Sequence, residues 1–101
     1  MYRGTTPTHI FNVPIDTAEI KSVRVIYSQG EKVVLKKELS ECSIEEGRII
    51  ARLTQEETLL FDCHEHVTVQ LRVLTKADDA LISRPVRKSI GECLDDEGVL
   101  K

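Results

Sequence analysis

The chain has 101 residues, of which 41% are hydrophobic and 31% are charged, enough for one domain with a core and too few for two. Only 4% are aromatic and none is tryptophan, so we expect an aliphatic core without an aromatic carbohydrate site or a base-stacking platform for single-stranded nucleic acid. The net charge is -3, and lysine and arginine are scattered rather than gathered into a footprint for phosphates. We therefore expect no nucleic-acid partner.

The location of the protein follows from apolar runs and cysteines. No run approaches the roughly 20 apolar residues of a membrane span, and MYRGTTPTHIF at the N-terminus lacks the apolar core of a signal peptide. Cys42, Cys63 and Cys93 are odd in number and widely spaced, which favours free thiols in a reducing compartment. We expect a cytosolic protein without a membrane partner.

The first half of the chain reads as a lead-in and a strand hairpin. Residues 1–7 are polar and predicted to be loose, and residues 8–13 form a first strand that Pro14 ends. Residues 21–29 and 32–38 pair through a tight turn at Gly30. In the second of these strands, Val33 and Leu35 are predicted to point inward, and Lys36 and Lys37 to face solvent or to guard a sheet edge.

The central stretch contains a strand, a helical turn and the most regular strand of the sequence. A short strand near residues 42–44 precedes a strand over 48–53. Thr54 and Glu57 have the spacing of a capping box, which predicts a short helix over 54–60 that presents Leu59 and Leu60, or Phe61, to the core. Residues 67–75 then form the most regular strand, in which apolar and polar side chains alternate from 67 to 73, as in a half-buried strand.

The last part returns along that strand and ends in an acidic segment. Residues 80–83 pair back on it, and Pro85 predicts an edge or a bulge. Residues 92–101 are predicted to form a flexible tail. The whole pattern predicts an all-β protein: one antiparallel, immunoglobulin-like β-sandwich domain over residues 1–101, with about six to seven strands and one short helical turn.

Metal-capable side chains are densest at Cys63, His64, Glu65 and His66. A structural zinc site needs four ligands, commonly two local pairs. Cys63 and His66 offer one pair, whereas His9, Cys42 and Cys93 offer no second local pair. A solvated loop with one buried thiol is the simpler interpretation. No local signature marks a Cys/His nucleophile pair, and no catalytic, cofactor-binding or metal-binding residue is assigned.

Five segments carry a resemblance: GTTPTHIF, YSQG, LTQEET, VQLRVLT and the closing IGECLDDEGVL. Together they resemble a small family of uncharacterised prophage proteins encoded among tail and virion genes of Gram-positive bacteria. The pattern is also similar to the immunoglobulin-like N-terminal domain of some phage baseplate proteins. The resemblance implies synthesis in the bacterial cytoplasm, a place in the phage tail, and tail or baseplate proteins as partners. It supplies no catalytic residue.

The sequence therefore favours a non-enzymatic structural or interaction module of a prophage tail or baseplate, with no cofactor and with self-association as a further contact. The outward face of residues 21–29 or the acidic tail would make the contacts. One alternative is a phage-encoded assembly or regulatory factor that is absent from the virion. A remote alternative is a small metal-binding protein built on Cys63, His64 and His66.

Overall fold

Two antiparallel sheets pack face to face in the computed structural model, which describes residues 1–93 and 98–100. One sheet has the order β1-β5-β4, and the other has the order β3-β2-β6 with β7 and β8 both paired to β6. The predicted all-β sandwich is confirmed. The elements in chain order are β1 (Thr8–Asn12), a 3₁₀ turn (Thr17–Glu19), β2 (Ile20–Gln29), β3 (Lys32–Glu38), a second 3₁₀ turn (Leu39–Glu41), β4 (Cys42–Glu45), β5 (Arg48–Arg52), α1 (Gln55–Thr58), β6 (Val67–Thr75), β7 (Ala80–Ile82) and β8 (Val86–Lys88).

The strand order is that of an immunoglobulin-like sandwich. In the lettering of that fold, β1, β5 and β4 take positions B, E and D, and β3, β2 and β6 take positions C′, C and F. β7 and β8 together take position G, and α1 lies between E and F. Strand A, which would pair with β1, has no counterpart as a strand among residues 1–93 and 98–100.

The core lies between the sheets and is built by the alternating strands. Val25, Tyr27, Val67 and Val69 are at most 1% exposed, because period-two alternation puts them all on the inner faces. Phe61, just after α1, is also 1% exposed and packs its ring 6.0 Å from that of Tyr27. The other buried apolar side chains are Ile20, Val23, Ile49, Ala51, Leu53, Leu71, Val73 and Ile90.

β7 and β8 form one edge strand interrupted by a bulge around Pro85. Their pairings with β6 differ by one residue in register on the two sides of the interruption. Ser83 repairs the ladder there: its N–H donates to the carbonyl of Leu71 at 2.9 Å, and its Oγ accepts the N–H of Leu71 at 2.9 Å. The bulge predicted from Pro85 is confirmed.

The predicted inward position of Val33 is wrong. Tyr27 pairs with Leu35, but the next residue of β2, Ser28, pairs with Val33, so Val34 is an extra residue in the ladder. A bulge of this kind interrupts the alternation, so side chains on its two sides no longer follow one inward and outward series. Val33 is 47% exposed and lies opposite Ser28, on the outward face.

The predicted solvent position of Lys37 is also wrong, whereas Lys36 is exposed as predicted. Lys37 pairs with Val25 and is only 5% exposed. Its Nζ lies 2.6 Å from Oε1 of Glu57, so the charge is buried with a partner. Glu57 also accepts the N–H of Thr54 at 2.8 Å and donates its own N–H to the Thr54 hydroxyl at 3.1 Å, which confirms the predicted capping box.

Backbone hydrogen bonds fix the N-terminal residues that the sequence predicts to be loose. Tyr2 forms a parallel bridge with Gly91, Arg3 N–H donates to the Gly91 carbonyl at 3.2 Å, and Gly91 N–H donates to the Met1 carbonyl at 2.7 Å. In the predicted acidic tail, Leu100 exchanges two hydrogen bonds with the side chain of Gln55. Residues 94–97 and 101 of that tail lie outside the described residues.

Candidate interaction surfaces

The loop after α1 is held by one buried side chain, Gln29. Its Nε2 donates to the carbonyls of Asp62 at 2.7 Å and Glu65 at 3.2 Å, and its Oε1 accepts the Asp62 N–H at 2.9 Å. Gln29 is 7% exposed, so these bonds form largely out of solvent, where an unmade bond is costly. The loop that carries the candidate metal ligands therefore has a fixed position at the end of β2.

This loop brings together a different ligand set from the predicted one. One ligand atom each from Asp62, Cys63 and His64 lie within 4.8 Å of one another, whereas His66 is not part of the group. The carboxylate of Asp62 already accepts the N–H of His64 at 2.8 Å. Three neighbouring ligands form an incomplete tetrahedron, and a metal ion would need a fourth ligand from water or a partner.

His9 and Tyr27 form a polar contact inside the sandwich. Nδ1 of His9 lies 2.7 Å from the Tyr27 hydroxyl, and the rings are 5.5 Å apart. Burial lowers the pKa of His9 from 6.5 to about 4, helped by the positive charges of Lys88 and the N-terminus. Burial also raises the pKa of Tyr27, as do Cys42 and Glu57. Both side chains are therefore neutral at pH 7 and bond to each other across the two sheets.

Cys42 lies on the inner face of the three-stranded sheet, where it and His9 both pair with Ala51. Burial raises the pKa of the Cys42 thiol; Lys37 lowers it, and Glu41 and Glu38 raise it. Since the thiolate is the nucleophile and the metal ligand, this thiol is kept in its less reactive form. Neither Cys42 nor His9 joins the group around Cys63.

The outward face of the five-stranded sheet contains the surface of β2 that the sequence predicts to make contacts. We call it the GFC face; its centre is Ile26, half-buried between Lys36 of β3 and Gln70 of β6. Gln70 Nε2 donates to the carbonyl of Ser83 at 3.0 Å, which fixes that amide against the edge strand. Ile82, at 64% exposure, extends the aliphatic part of the face.

Positive charge gathers on the GFC face although the chain as a whole is acidic. Register places the cations Arg24, Lys36, Arg72 and Arg87 on it, with Glu38 as the carboxylate that pairs with Arg24 at 2.8 Å. A shallow depression of about 260 Å³ runs between Arg24 and Arg72. Arginine and aliphatic side chains in one patch are typical of protein interfaces.

A second surface lies on the open side of the sandwich, between β1 and the edge strand β7–β8. We call it the edge groove; two depressions of about 300 and 240 Å³ follow each other along it. The first is lined by apolar residues that include Ile15 and Leu81. The second lies between Phe11 and Val86, with Lys88 at its rim. The groove marks the place that strand A fills in an immunoglobulin domain.

Comparisons with protein-family models, with curated proteins and with solved structures gave no match. Among the described residues, no helix combines the length and the apolar character needed to span a bilayer.

The role of Gln29 and the edge groove were not predicted from the sequence, for different reasons. Gln29 has a recognisable signal, because it continues the inward series of Val25 and Tyr27 and a polar side chain at such a position needs a partner. The edge groove has no recognisable signal in the sequence. It depends on which strands are neighbours, and the alternation of side chains along a single strand does not reveal the strand order.

Proposed function

We propose that the protein is a non-enzymatic interaction module of a prophage tail or baseplate and that the GFC face makes its protein–protein contacts. One observation carries the contact surface: the cations and aliphatic side chains gathered on one sheet face of an acidic chain. The phage assignment rests on the sequence resemblance described above.

The charge pattern of the GFC face implies a partner with an acidic surface. Charges arranged this way steer association and set specificity. Arg24 forms an ion pair with Glu38 of the neighbouring strand β3. On the other side of Arg24, Arg72 of β6 is its partner in the strand register and adds a further cation. A carboxylate-rich patch on a tail protein would complement this face.

Mass spectrometry of purified particles, released after prophage induction, tests the place in the virion. Cleavage after arginine yields one peptide that covers residues 53–72, including the loop and most of β6. We expect this peptide at a fixed stoichiometry to known tail proteins. Its presence in the lysate but absence from particles would overturn the proposal and favour an assembly or regulatory factor.

Charge reversal tests the surface. Arg24→Glu with Arg72→Glu should abolish incorporation into particles, because both cations lie on the GFC face. The matched control is Arg48→Glu with Arg52→Glu, the same change on the exposed outer side of the three-stranded sheet, which should leave incorporation intact. Equal effects of the two pairs would remove the GFC face from the proposal.

A second candidate function, binding of a divalent transition-metal ion, is favoured by the grouping of Asp62, Cys63 and His64. Metal analysis of tag-free protein after incubation with zinc and dialysis tests it. Retention near one equivalent that Cys63→Ala abolishes and His66→Ala preserves would support it. Retention below about a tenth of an equivalent would remove it, because structural sites bind zinc far more tightly than dialysis can reverse.

A further inference from the structure

The edge groove exposes side chains that belong to the inner face of the sandwich. Leu81 pairs with Val73, and Val86 pairs with Val69; both of these β6 partners are nearly fully buried, yet Leu81 is 41% and Val86 48% exposed. The cause is the unequal width of the sheets. Three strands face four strand positions, so the edge strand β7–β8 extends beyond β1 with its inner face uncovered.

The neighbouring edge of β1 carries backbone groups that are free to pair. Val13 N–H donates to Gly47, and Leu53 N–H donates to Pro7, so odd-numbered residues of this segment bond to β5. Antiparallel ladders alternate, and the N–H and C=O groups of the even residues therefore point away from β5. Among the described residues no backbone partner meets these outward groups, which belong to Thr8, Ile10 and Asn12.

One extended strand is what this space accommodates. Adjacent strands lie about 4.8 Å apart, and a single strand beside β1 would complete a fourth position opposite β7–β8. A whole sheet edge would not fit, because the overhanging β7–β8 strand would meet the partner's second layer. The occupant is therefore a lone extended segment, as in the strand addition by which some chaperones and pilins complete each other.

One end of the groove, which we call its lower end, lies beside Thr8 and Lys88. The charges at this lower end specify the chemistry of the segment that would bind. Lys88 lines this end, and the N-terminal ammonium lies near it, hydrogen-bonded to the Ser89 carbonyl at 2.9 Å. Among the residues that the structure describes, no acidic side chain lines either depression of the groove. A segment antiparallel to β1 would run from Asn12 towards Thr8 and would bring its C-terminal end to these cations.

We propose that the edge groove binds an extended segment of another protein, paired antiparallel to β1, with apolar side chains at alternate positions and carboxylates at its C-terminal end. The apolar side chains would cover Leu81 and Val86, and the carboxylates would lie beside Lys88. This deepens the proposed function by naming a second surface and its class of partner. It is tested on the isolated protein, so its failure is separable from failure of the particle experiment.

The probe is the blocked peptide acetyl-Val-Thr-Val-Thr-Val-Glu-Glu-amide, titrated into the purified protein by calorimetry. We expect saturable binding that the peptide with lysine in place of glutamate does not show. Lys88→Glu should weaken binding about tenfold or more, as expected for loss and reversal of one charge contact. No binding up to about 1 mM peptide would overturn the proposal.

Proline substitution tests the pairing with β1. Ile10→Pro removes an N–H that faces the groove and none that faces β5, so the fold is retained, and binding should weaken about tenfold. The matched control is Ile44→Pro on β4, whose N–H faces the opposite free edge because Ser43 and Glu45 are the residues that bond to β5. Equal weakening by both variants would overturn the pairing.

Sedimentation of the free protein distinguishes the remaining occupant, a second copy of this chain. A monomer that binds the peptide supports the proposal. A dimer that Ile10→Pro dissociates and the peptide does not would overturn it and assign the groove to self-association.

Discussion

Lys37 and Glu57 form an ion pair whose side chains are only 7% and 17% exposed. Burial alone would raise the pKa of Glu57, but hydrogen bonds from Lys37 and Thr54 and the charge of Lys37 outweigh it, and the pKa lies below the ordinary 4.5. Without the Glu57 carboxylate, the buried charge of Lys37 keeps only the more distant and more exposed Glu41, whose Oε2 lies 4.0 Å from Nζ, and is poorly compensated. Glu57→Gln should therefore lower the free energy of unfolding by about 3 kcal/mol in urea titrations. Glu56→Gln, an exposed neighbour on α1, is the control; equal losses would contradict the assignment.

His9 makes a pH-dependent contribution with a defined sign. Its folded-state pKa of about 4 lies below the ordinary value of 6.5, so the unfolded chain binds more protons between these values. The stabilising contribution is complete above pH 6.5 and is lost as pH falls toward 4. Because the ring is only half-buried, we expect a loss of about 1 kcal/mol between about pH 7.5 and pH 5.

Urea unfolding of the natural protein and of two variants, repeated between about pH 7.5 and pH 5, measures this contribution of His9. His9→Gln should flatten the dependence of stability on pH, and the exposed control His64→Gln should leave it as in the natural protein. A slope that His9→Gln does not change would assign the proton uptake to another group.

At the scale of elements, the bulge between β7 and β8 depends on Ser83. Its hydroxyl is the acceptor for the Leu71 amide, so Ser83→Ala should leave that N–H without a partner and destabilise the fold by about 1–2 kcal/mol. Ser43→Ala, on the exposed strand β4, should cost less than about 0.5 kcal/mol. Hydrogen exchange at the Leu71 amide should accelerate in the first variant alone. Unchanged protection would show that another acceptor replaces Ser83.

Strands are the part of this fold that the sequence predicts well. Alternation places β2 and β6 within a residue of their observed ends because each has one buried and one solvated face. The predicted positions of Val33 and Lys37 fail for two different reasons. The bulge at Val34, which moves Val33 outward, leaves no mark in the sequence. A lysine such as Lys37 signals solvent unless its carboxylate partner is known. The ion pair with Glu57 joins two elements twenty residues apart, and only the packed structure reveals it.

At the scale of the whole molecule, both proposed surfaces arise from the arrangement of strands rather than from any motif. The GFC face collects Arg24, Lys36 and Arg72 from three different strands, so their clustering depends on register. The edge groove exists because, within the described part of the chain, no strand pairs with β1 on the side away from β5, while β7–β8 extends beyond it. The predicted contact face could be named from β2 alone, whereas the groove required the order of all the strands.

The N-terminal residues are joined to Gly91, three residues beyond β8, and this junction supports the last prediction. A Cβ on Gly91 would lie 2.2 Å from the ring of Tyr2, so Gly91→Ala must displace that ring and the strand pairing beneath it. Tyr2 is 63% exposed and can move, so we expect a loss of about 1 kcal/mol, or about 5 °C in Tm. Adding Tyr2→Ala removes the clash, and the double variant should recover the stability of Tyr2→Ala alone. Ser89→Ala, an exposed neighbour, is the control. If Gly91→Ala left Tm unchanged, residues 1–3 would not be packed against Gly91 in solution. The lower end of the groove would then be open beyond Lys88.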